Sequence, residues 1–501
     1  MEFQPLSLHL LFISILFLLM LGQIVKRSKG NKPARKLPPG PWRLPILGNL
    51  LQLVGSLPHR RLRDLAGIYG PLMHLQLGEV PTLVVSSPET AKEVMKTHDV
   101  IFSNRPKFLA PRIISYDCKN IIFSHYGGYW RQLRKICTIE LLSAKRVQSF
   151  RRIREEEMSN LNKILYSSRG STINLSEKIH SLTYGITARA AFGKKCKDQE
   201  AFISIITRLI EIAAGFSVAD VYPSIEALSG LKRKLEKIHQ QSDRILENII
   251  NEHKVRGRII GGCSEELEED LVDVLLKLQD SDPEFPLSVN SIKAVILDIF
   301  SAGSETSATT VEWAMSEMLK NPEVMERAQT EVREVFNRKG NVDETDINEL
   351  KFLKSVIKET LRLHPPLPLI PRECTENCTI NGYDIPANTR VFINVWAIGR
   401  DPLNWNEAEK FKPERFLNCS TDFKGSDFEY IPFGGGRRMC PGITFGMANI
   451  ELPLAQLLYL FDWELPFGMK HKELDMTETS GATIRRKELM LIPTPYRPLD
   501  T

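Results

Sequence analysis

One loop constrains this chain more than any other feature: residues 432–442 read PFGGGRRMCPG. Three consecutive glycines and two arginines precede Cys440, and a Pro-Gly pair follows it. Phosphate-binding loops need GxxxxGK[ST], or GxGxxG between a strand and a helix, and neither spacing occurs here. Zinc needs three or four ligands, and no second Cys or His lies within finger distance of Cys440. A nucleophilic cysteine with a distant histidine partner and a purely structural cysteine both stay open.

Ligation of haem iron by a thiolate uses every residue type in this loop. Glycines let the backbone approach a flat macrocycle where side chains would collide, and arginines can pair with the haem propionates. A thiolate also gains from a helix N-terminus, where free N–H groups and the dipole lower the thiol pKa, and Pro441-Gly442 opens such a helix. The loop therefore favours a haem-thiolate site with Cys440 as the ligand.

The composition is that of a globular protein with an ample core. The 501 residues are enough for one large domain or two to three ordinary ones. A net charge of +5 is spread thinly over this length, so we expect no nucleic-acid partner. The eight cysteines are sparse and show no CxxC pair, which is typical of a protein on the cytosolic side of a membrane.

The N-terminus predicts a membrane anchor. Residues 3–25 carry no formal charge and are long enough to span a bilayer as a helix. The basic run 26–36 follows, with no acidic residue before Asp64, so the positive-inside rule places the remaining chain in the cytosol. A cleavable signal peptide is the alternative, but such peptides put positive charge ahead of the apolar core, where this chain has only Glu2.

Beyond the anchor the sequence predicts a mainly α body with small β-sheets. Four prolines between 38 and 45 favour a stiff connector, LMHLQLG and TLVVSS predict a hairpin turning near 78–81, and short strands are expected around CTINGYDIP and TRVFINVW. Helical periodicity predicts helices over residues 89–97, 129–139, 147–166, 198–216, 230–255, 268–279, 289–319, 322–336, 350–363 and 446–461. The domains expected are an anchor helix (1–25), a basic, proline-rich hinge (26–49) and a catalytic domain (50–501).

The predicted helix 289–319 is about 46 Å long and contains FSAGSETSATT. Asp298 and Glu305 lie together on one flank, and Gly303 in the helix interior costs about 1 kcal/mol relative to alanine. A core helix with a small-residue packing seam is the alternative, but the glycine favours a flat or polar group pressed against the helix. Four residues share one face: Val295, Ile299, Ala302 and Thr306.

These motifs resemble the signatures of the cytochrome P450 family. FGGGRRMCPG matches FxxGxRxCxG at Phe433, Gly436, Arg438, Cys440 and Gly442. Four companions occur in the family's order along the chain: WRQLRK (130–135), similar to its WxxxR helix, AGSET (302–306), similar to its oxygen-activating motif, ETLR (359–362), similar to ExxR, and PERF (413–416), similar to PxRF. The resemblance implies the cytochrome P450 haem-thiolate fold behind an N-terminal transmembrane helix.

The resemblance also implies roles for individual residues. Cys440 corresponds to the axial ligand of the iron in haem b, and Glu305 and Thr306 correspond to the acid–alcohol pair that delivers protons to bound dioxygen. The residues assigned to haem binding are Trp130, Arg134 and Arg438 at the propionates and Phe433 near the sulfur. The residues assigned to a buried salt-bridged triad are Glu359, Arg362 and Arg415.

Electrons must come from a partner, since no flavin or nicotinamide fingerprint occurs in the chain. The resemblance implies a separate flavoprotein, NADPH–cytochrome P450 reductase, and a single-pass protein of the endoplasmic reticulum membrane with a cytosolic catalytic domain. Basic residues near the proximal side are candidates for docking this partner, and an ordinary solvated surface is the alternative. These residues are Arg134, Lys135 and Arg437.

The substrate is expected to be small and hydrophobic, because the segments that resemble substrate-recognition regions are mostly aliphatic. Core packing is the alternative for each residue. The candidates are Ile113, Ile114, Ile299, Ala302, Leu367, Leu369, Ile370 and Ala482. Segments such as LPPGPW and ELLSAKRVQSFR resemble the plant microsomal branch that includes limonene hydroxylases, premnaspirodiene oxygenase and casbene oxidases.

That branch implies oxidation of a sesquiterpene or diterpene in specialised metabolism, with an indole-alkaloid hydroxylase as the nearest alternative. Two other classes stay open: a haem-thiolate isomerase or dehydratase, and a non-enzymatic haem sensor or electron carrier. The intact pair Glu305-Thr306 argues against both, because neither needs to activate oxygen.

Overall fold

The structure, a computed structural model, describes residues 35–194, 199–213, 217–260, 269–279, 284, 286–339, 342–479 and 483–497. The predicted anchor (1–25) and most of the basic run lie outside these residues. Within them, one helix, Ile443–Leu460, is long and apolar enough to cross a membrane, but it is mostly buried among other helices of the body.

Helices make up most of the described chain. In order they are α1 Pro58–Tyr69, α2 Pro88–Lys92, α3 Leu109–Ile114, α4 Gly128–Ile136, α5 Ala144–Ser149, α6 Arg151–Ser167, α7 Leu175–Phe192, α8 Gln199–Ala213, α9 Val218–Val221, α10 Leu231–Ile260, α11 Leu271–Lys277, α12 Val289–Lys320, α13 Pro322–Lys339, α14 Lys351–Leu363, α15 Val395–Ile398 and α16 Ile443–Leu460. Short 3₁₀ turns at Pro413–Phe416 and Gly436–Arg438 carry two of the sequence motifs.

The strands form three small sheets. They are β1 Leu72–Leu77, β2 Val80–Val85, β3 Ile173–Asn174, β4 Leu369–Glu373, β5 Cys378–Ile380, β6 Tyr383–Ile385, β7 Arg390–Asn394, β8 Phe461–Glu464 and β9 Met490–Pro495. The largest sheet has the order β1-β2-β7-β4, the second β3-β9-β8 and the third β5-β6. In the largest sheet β2 and β7 are parallel, while β7 and β4 are antiparallel with Ile393 opposite Ile370. The predicted mainly α fold with small sheets is confirmed.

Helix α12 is the centre of the molecule. Ser288 caps its N-terminus by accepting a hydrogen bond from Ser291 N at 3.1 Å. It packs against α7 on one side and against α16, α14 and α13 on others, and most of its residues are buried. A helix so enclosed can carry polar groups only where a partner or a cofactor meets them.

The helix predictions differ from the structure in two ways: α1 and α7 were missed, together with the short helices α3, α9 and α15, and α5 and α6 were wrongly joined. The prediction of one helix over 147–166 is wrong, because Phe150 has ψ near 3° and separates α5 from α6. Its ring is buried and lies 6.5 Å from that of Phe445, so tertiary packing sets this break. Helix α7 was missed because most of its own residues are buried, on nearly all sides of the helix, which leaves only a weak amphipathic period. Helix α1 was also missed, since only three of its side chains are buried.

Candidate functional site

The cysteine loop is a tight turn between the 3₁₀ turn Gly436–Arg438 and α16. Gly434 and Gly436 have φ of 73° and 66°, a left-handed region that favours glycine. A Cβ on Gly436 would also collide with the carbonyl oxygen of Met95, so two glycines have a local reason independent of any ligand. The backbone N–H of Cys440 donates to the oxygen of Phe433 at 3.0 Å and closes the turn.

The sulfur of Cys440 accepts a hydrogen bond from Gly442 N at 3.3 Å. Burial raises the pKa of the thiol, although this N–H and the charge of Arg134 act in the opposite direction. The expected lowering of the pKa by the helix N-terminus is therefore outweighed by burial in the protein alone. A coordinated metal ion would reverse this balance, because coordination to a metal deprotonates a thiol.

The predicted propionate residues lie together, but their donors contact backbone carbonyls. Arg438 donates from Nε to Ser103 O at 2.7 Å and from Nη1 to Ile121 O at 3.2 Å. Trp130 Nε1 also donates to Ile121 O, at 3.0 Å, and its ring lies 4.4 Å from the Arg438 guanidinium. Arg134, on α4 like Trp130, donates to Met439 O.

Two further arginines complete a cationic cluster that sequence reasoning missed. Arg105 donates to Ile122 O at 3.1 Å, and Arg372 of β4 donates from Nη2 to Gly435 O at 3.1 Å. The Nη1 group of Arg372 is buried without a partner. A charged residue inside the apolar strand LIPRE was the one signal that could have found Arg372.

Among the residues that the structure describes, no carboxylate forms an ion pair with Arg105, Arg372 or Arg438, and this tests whether haem fits the cluster. Burial, reinforced by the neighbouring guanidiniums, lowers the pKa of Arg438 to about 9 and that of Arg372 well below its usual value. Burial also lowers the pKa of Arg105 to about 10. Buried cations at this density need anionic partners, and the charge of Asp99 opposes only part of the pKa shift of Arg372 and Arg438. Two haem propionates would supply the missing charge, so these residues fit the group.

Helix α12 has one open face. Ala302 is exposed although its neighbours along the helix are mostly buried, and Thr306, one turn later, is half-buried. Thr306 Oγ1 donates to Ala302 O at 2.7 Å. Gly303 lies against α16, where an added Cβ would be 3.0 Å from Phe445 Cε1. The flat group expected against this helix is, at Gly303, an aromatic ring.

The two acidic residues on the flank of α12, Asp298 and Glu305, contact two different parts of the chain. Asp298 accepts hydrogen bonds from Asn120 Nδ2 at 2.7 Å and from the N–H groups of Ile121 and Ile122, each at 3.1 Å. Its pKa is raised to about 7 by burial, which these donors only partly oppose. Glu305 instead faces α7, where its Oε2 accepts a hydrogen bond from the hydroxyl of Tyr184.

The predicted triad forms a closed, buried network. Arg362 donates from Nε and Nη2 to the two oxygens of Glu359, each at 2.8 Å, and Arg415 Nε donates to Glu359 Oε1 at 3.0 Å. The remaining donors of Arg362 reach the carbonyls of Gly399 and Ala408. The bidentate pair of Arg362 and Glu359, together with the hydrogen bond from Arg415, fixes α14 to the 3₁₀ turn Pro413–Phe416.

The aliphatic substrate candidates divide between two places. Ile113, Ile114 and Ile299 belong to one large apolar cluster to which α3, α10 and α12 all contribute. Leu369 and Ile370 lie on β4, where Ile370 Cδ1 is 3.4 Å from the position of a Cβ on Gly434. Leu367 is 55% exposed, and Ala482 lies outside the described residues. Phe433 is half-buried and packs against Phe423 at 5.0 Å.

A cysteine at the start of a buried helix, a shell of guanidiniums and an open helix face are the features expected of a haem-thiolate oxygenase. A family model described as "Cytochrome P450" matches residues 38–493, and the chain belongs to this family. It is a P450 monooxygenase, whose haem-thiolate iron activates dioxygen and which depends on a redox partner for electrons.

Relatives and solved structures agree with this assignment. The chain is 54% identical to premnaspirodiene oxygenase of Hyoscyamus muticus over 99% of both chains, and 53% identical to 5-epiaristolochene 1,3-dihydroxylase of Nicotiana tabacum over 99% of both. It is 55% identical to tabersonine 6,7-epoxidase isoform 1 of Catharanthus roseus over 98% of both. A zebra fish cytochrome P450 structure with progesterone has a TM-score of 0.76 and 25% identity, covering 88% of this chain and all of that one.

Proposed function

We propose that the protein hydroxylates a sesquiterpene or diterpene, using haem b and electrons from NADPH delivered by a separate flavoprotein reductase. The observation that carries the substrate class is the similarity along the whole chain to premnaspirodiene oxygenase and 5-epiaristolochene 1,3-dihydroxylase. The aliphatic candidates Ile113, Ile114 and Ile299 support it, since they suit a substrate held by shape.

The roles proposed for the chain's own residues follow from their chemistry. Cys440 provides the axial thiolate, and the cluster of Arg105, Arg372 and Arg438 binds the propionates. Haem supplies the activation of dioxygen when it is bound. Glu305 and Thr306 move protons from the protein interior toward the open face at Ala302. Water must otherwise be excluded, because uncontrolled protons release reduced oxygen as peroxide.

The proposed domain organisation is an anchor helix in 1–25, a hinge in 26–49 and a catalytic domain in 50–501. A single span followed by basic residues supports residence in the endoplasmic reticulum membrane with the catalytic domain in the cytosol. Exposed Arg437 and Lys135 are proposed to meet the reductase. Arg134 is less suited to this role, since it is half-buried and donates to Met439 O.

The substrate proposal is tested with microsomes that contain the full chain and a plant NADPH–cytochrome P450 reductase. Premnaspirodiene, 5-epiaristolochene, a panel of diterpenes and tabersonine are each supplied under ¹⁸O₂, and products are identified by mass spectrometry. We expect a terpene product that carries one ¹⁸O atom and depends on NADPH and reductase. Cys440→Ser serves as the control that lacks the thiolate and is expected to form no product.

An indole-alkaloid substrate is the second candidate, favoured by the 55% identity to tabersonine 6,7-epoxidase isoform 1. Turnover of tabersonine without turnover of any terpene would replace the first proposal with this one. A product formed without NADPH or reductase would instead indicate an isomerase or dehydratase.

The proton-transfer role is tested separately with Thr306→Ala. Removal of the hydroxyl is expected to leave NADPH consumption largely intact while most electrons appear as hydrogen peroxide, because the site loses a proton donor. The measurement is the ratio of peroxide to NADPH consumed, with Thr310→Ala as the matched control one turn away on α12. An unchanged ratio in Thr306→Ala would show that this hydroxyl is not needed.

A further inference from the structure

Glu305 is held by two side chains of α7 that no sequence motif includes. The hydroxyl of Tyr184 donates to Glu305 Oε2 at 3.0 Å, and His180 Nε2 lies 3.5 Å from Glu305 Oε1. His180 and Tyr184 are four residues apart and therefore share one face of their helix. Both oxygens of the carboxylate thus have a partner on α7.

His180 lies between solvent and the buried carboxylate. Its side chain is 25% exposed, whereas that of Glu305 is 14% exposed and Tyr184 is fully buried. His180 Nδ1 is 2.8 Å from Ser176 O, a carbonyl that can only accept, so Nδ1 carries a proton. Nε2 is then the ring atom that exchanges a proton with Glu305, and a quarter of the His180 side chain is accessible to water.

The charges around this pair favour the ionised forms. Burial lowers the pKa of His180, but the hydrogen bond to Glu305 and the charges of Glu305 and Glu312 raise it to about 9. For Glu305 burial raises the pKa, and His180 and Tyr184 lower it further than burial raises it. Glu312 itself has Arg485 at 3.6 Å and accepts from Ser176, so it has partners of its own. An imidazolium therefore faces a carboxylate at neutral pH.

We propose that His180 is a positioning residue that returns a proton from solvent to Glu305, and that Tyr184 holds the carboxylate beside it. The inference rests on the proposed role of Glu305 as a proton donor. In the step, the Nε2–H bond of the imidazolium breaks and a bond between that proton and Glu305 Oε1 forms. Neutral His180 keeps the proton on Nδ1, and its vacant Nε2 takes a proton from water once the protonated carboxyl has turned away.

Proton transfer also allows the carboxyl group of Glu305 to move away from His180. The ion pair becomes a neutral pair, and the Coulomb attraction between the two side chains disappears. The protonated carboxyl is then free to turn along α12 toward the side of Thr306, the next residue in the chain. Return of the carboxylate to His180 and Tyr184 restores the starting state, so loading and delivery alternate.

Two variants of His180 separate a proton carrier from a fixed charge. His180→Gln removes both functions, and we expect the ratio of peroxide to NADPH consumed to rise at least threefold. His180→Arg keeps a cation opposite Glu305, but a guanidinium does not release its proton at working pH. We expect His180→Arg to bind haem and melt like the wild type while the peroxide ratio rises as in His180→Gln. Wild-type coupling in His180→Arg would overturn the proton-transfer step.

Tyr184→Phe tests the holding role, and Tyr166→Phe is its matched control. Tyr184→Phe keeps the ring near Phe300 and removes only the hydroxyl, and a smaller rise in the peroxide ratio is expected. Tyr166 is a tyrosine whose hydroxyl donates to Arg497 O at 2.8 Å, remote from α12, so its phenylalanine variant should couple normally. Equal effects of the two variants would contradict a specific role for Tyr184.

A readout independent of turnover is the titration of His180 itself. In protein labelled with ¹³C at the histidine Cε1, the His180 signal is identified by its loss in His180→Gln. We expect it to titrate well above pH 6.5, and to return to an ordinary histidine value in Glu305→Gln. Titration near pH 6.5 in both proteins would show that the pair does not form.

The same set of variants distinguishes failure of this inference from failure of the proposed role of Glu305. If Glu305→Gln remains coupled, Glu305 is not the proton donor and the role of His180 falls with it. If Glu305→Gln releases peroxide and His180→Gln does not, Glu305 is loaded by another route and only the assignment of His180 is wrong.

Discussion

Asp298 shows how one carboxyl can join a loop to the central helix. It accepts three hydrogen bonds from residues 120–122, and its pKa is raised to about 7 by burial. A carboxyl group whose pKa is higher in the folded than in the unfolded state makes the folded protein more stable at low pH, where the group is protonated, than at high pH, where it is ionised. This relative contribution is lost as pH rises from about 4 through 7.

Asp298→Asn removes the titrating carboxyl group, so comparison with the wild type shows whether this group stabilises or destabilises the protein as pH rises. We expect the melting temperature of the wild type, minus that of Asp298→Asn, to fall as pH rises from 5 to 8. The measurement is thermal unfolding of haem-loaded protein at several pH values. Asp475→Asn is the matched control: hydrogen bonds from Thr477 lower the pKa of Asp475 to about 2, so its difference should stay constant over this range. A constant difference for Asp298→Asn would contradict the elevated pKa.

Glu359 is the residue on which the buried triad depends. Glu359→Gln leaves the fully buried guanidinium of Arg362 without its counter-charge, a change that costs about 3–5 kcal/mol. We expect less than about a tenth of the wild-type haem content, measured by the pyridine haemochrome assay. Glu409→Gln also breaks ion pairs with arginines, Arg63 and Arg400, but Glu409 is exposed and the expected cost is below about 1 kcal/mol. Full haem loading of Glu359→Gln would contradict the structural role.

At the scale of elements, α12 and α16 pack tightly at Gly303. Gly303→Ala gains helix propensity of about 1 kcal/mol but places a Cβ 3.0 Å from Phe445 Cε1. Overpacking of this kind costs about 1–3 kcal/mol, so we expect a net loss of about 1 kcal/mol. Gly446→Ala is the control on the facing helix, because its Cβ would meet Ser307 Oγ at an ordinary 3.9 Å.

Chemical unfolding of both variants measures the two effects, which should have opposite signs. Phe445→Leu completes a double-mutant cycle. Because this change replaces the ring by a smaller side chain, Gly303→Ala should no longer destabilise the protein in the Phe445→Leu background. A loss of stability from Gly303→Ala that persists in the Phe445→Leu background would mean that the ring is not the cause.

The elements that could be predicted from the sequence are those whose signal is local. Helix α12 was predicted almost to its ends, and the motif residues Glu359, Arg362 and Arg415 were assigned to one network that the structure contains. Most residues of helix α7 are buried, so its amphipathic period is weak and the partners of Glu305 on it could not be predicted from the sequence. Arg372 contacts the cysteine loop from β4, at the edge of the largest sheet. This placement belongs to the tertiary structure and leaves no local signal in the sequence.

At the scale of the whole molecule, exposed apolar side chains gather where residues 42–54 meet residues 218–225. The two segments are joined by a hydrogen bond from Tyr222 OH to Ile46 O at 3.4 Å. Glu79 N also donates to Val221 O at 2.8 Å, next to Gly78 N, which donates to Leu47 O at 3.4 Å. The exposed residues of this apolar patch are Trp42, Leu47, Leu51, Val54, Val218 and Ile225.

We expect the apolar patch to contact the membrane independently of the N-terminal anchor. Contiguous exposed apolar surface is costly in water and marks an interaction site. The patch follows directly on the basic run 26–36, which the anchor would place at the cytosolic surface. A chain that lacks residues 1–34 should therefore still sediment with phospholipid vesicles, and Leu51→Ser combined with Val54→Ser should lower the bound fraction severalfold.

Phe467→Ser supplies the matched control for this membrane prediction. Phe467 is 94% exposed, more than any residue of the apolar patch, but it lies in the turn after β8 and not in either segment of the patch. If exposure alone caused vesicle binding, its replacement would release the protein as effectively as the changes at Leu51 and Val54. Binding that survives Phe467→Ser and fails in the double variant assigns the contact to the patch. Because the variants are compared at equal haem content, loss of binding then reflects the membrane contact and not unfolding.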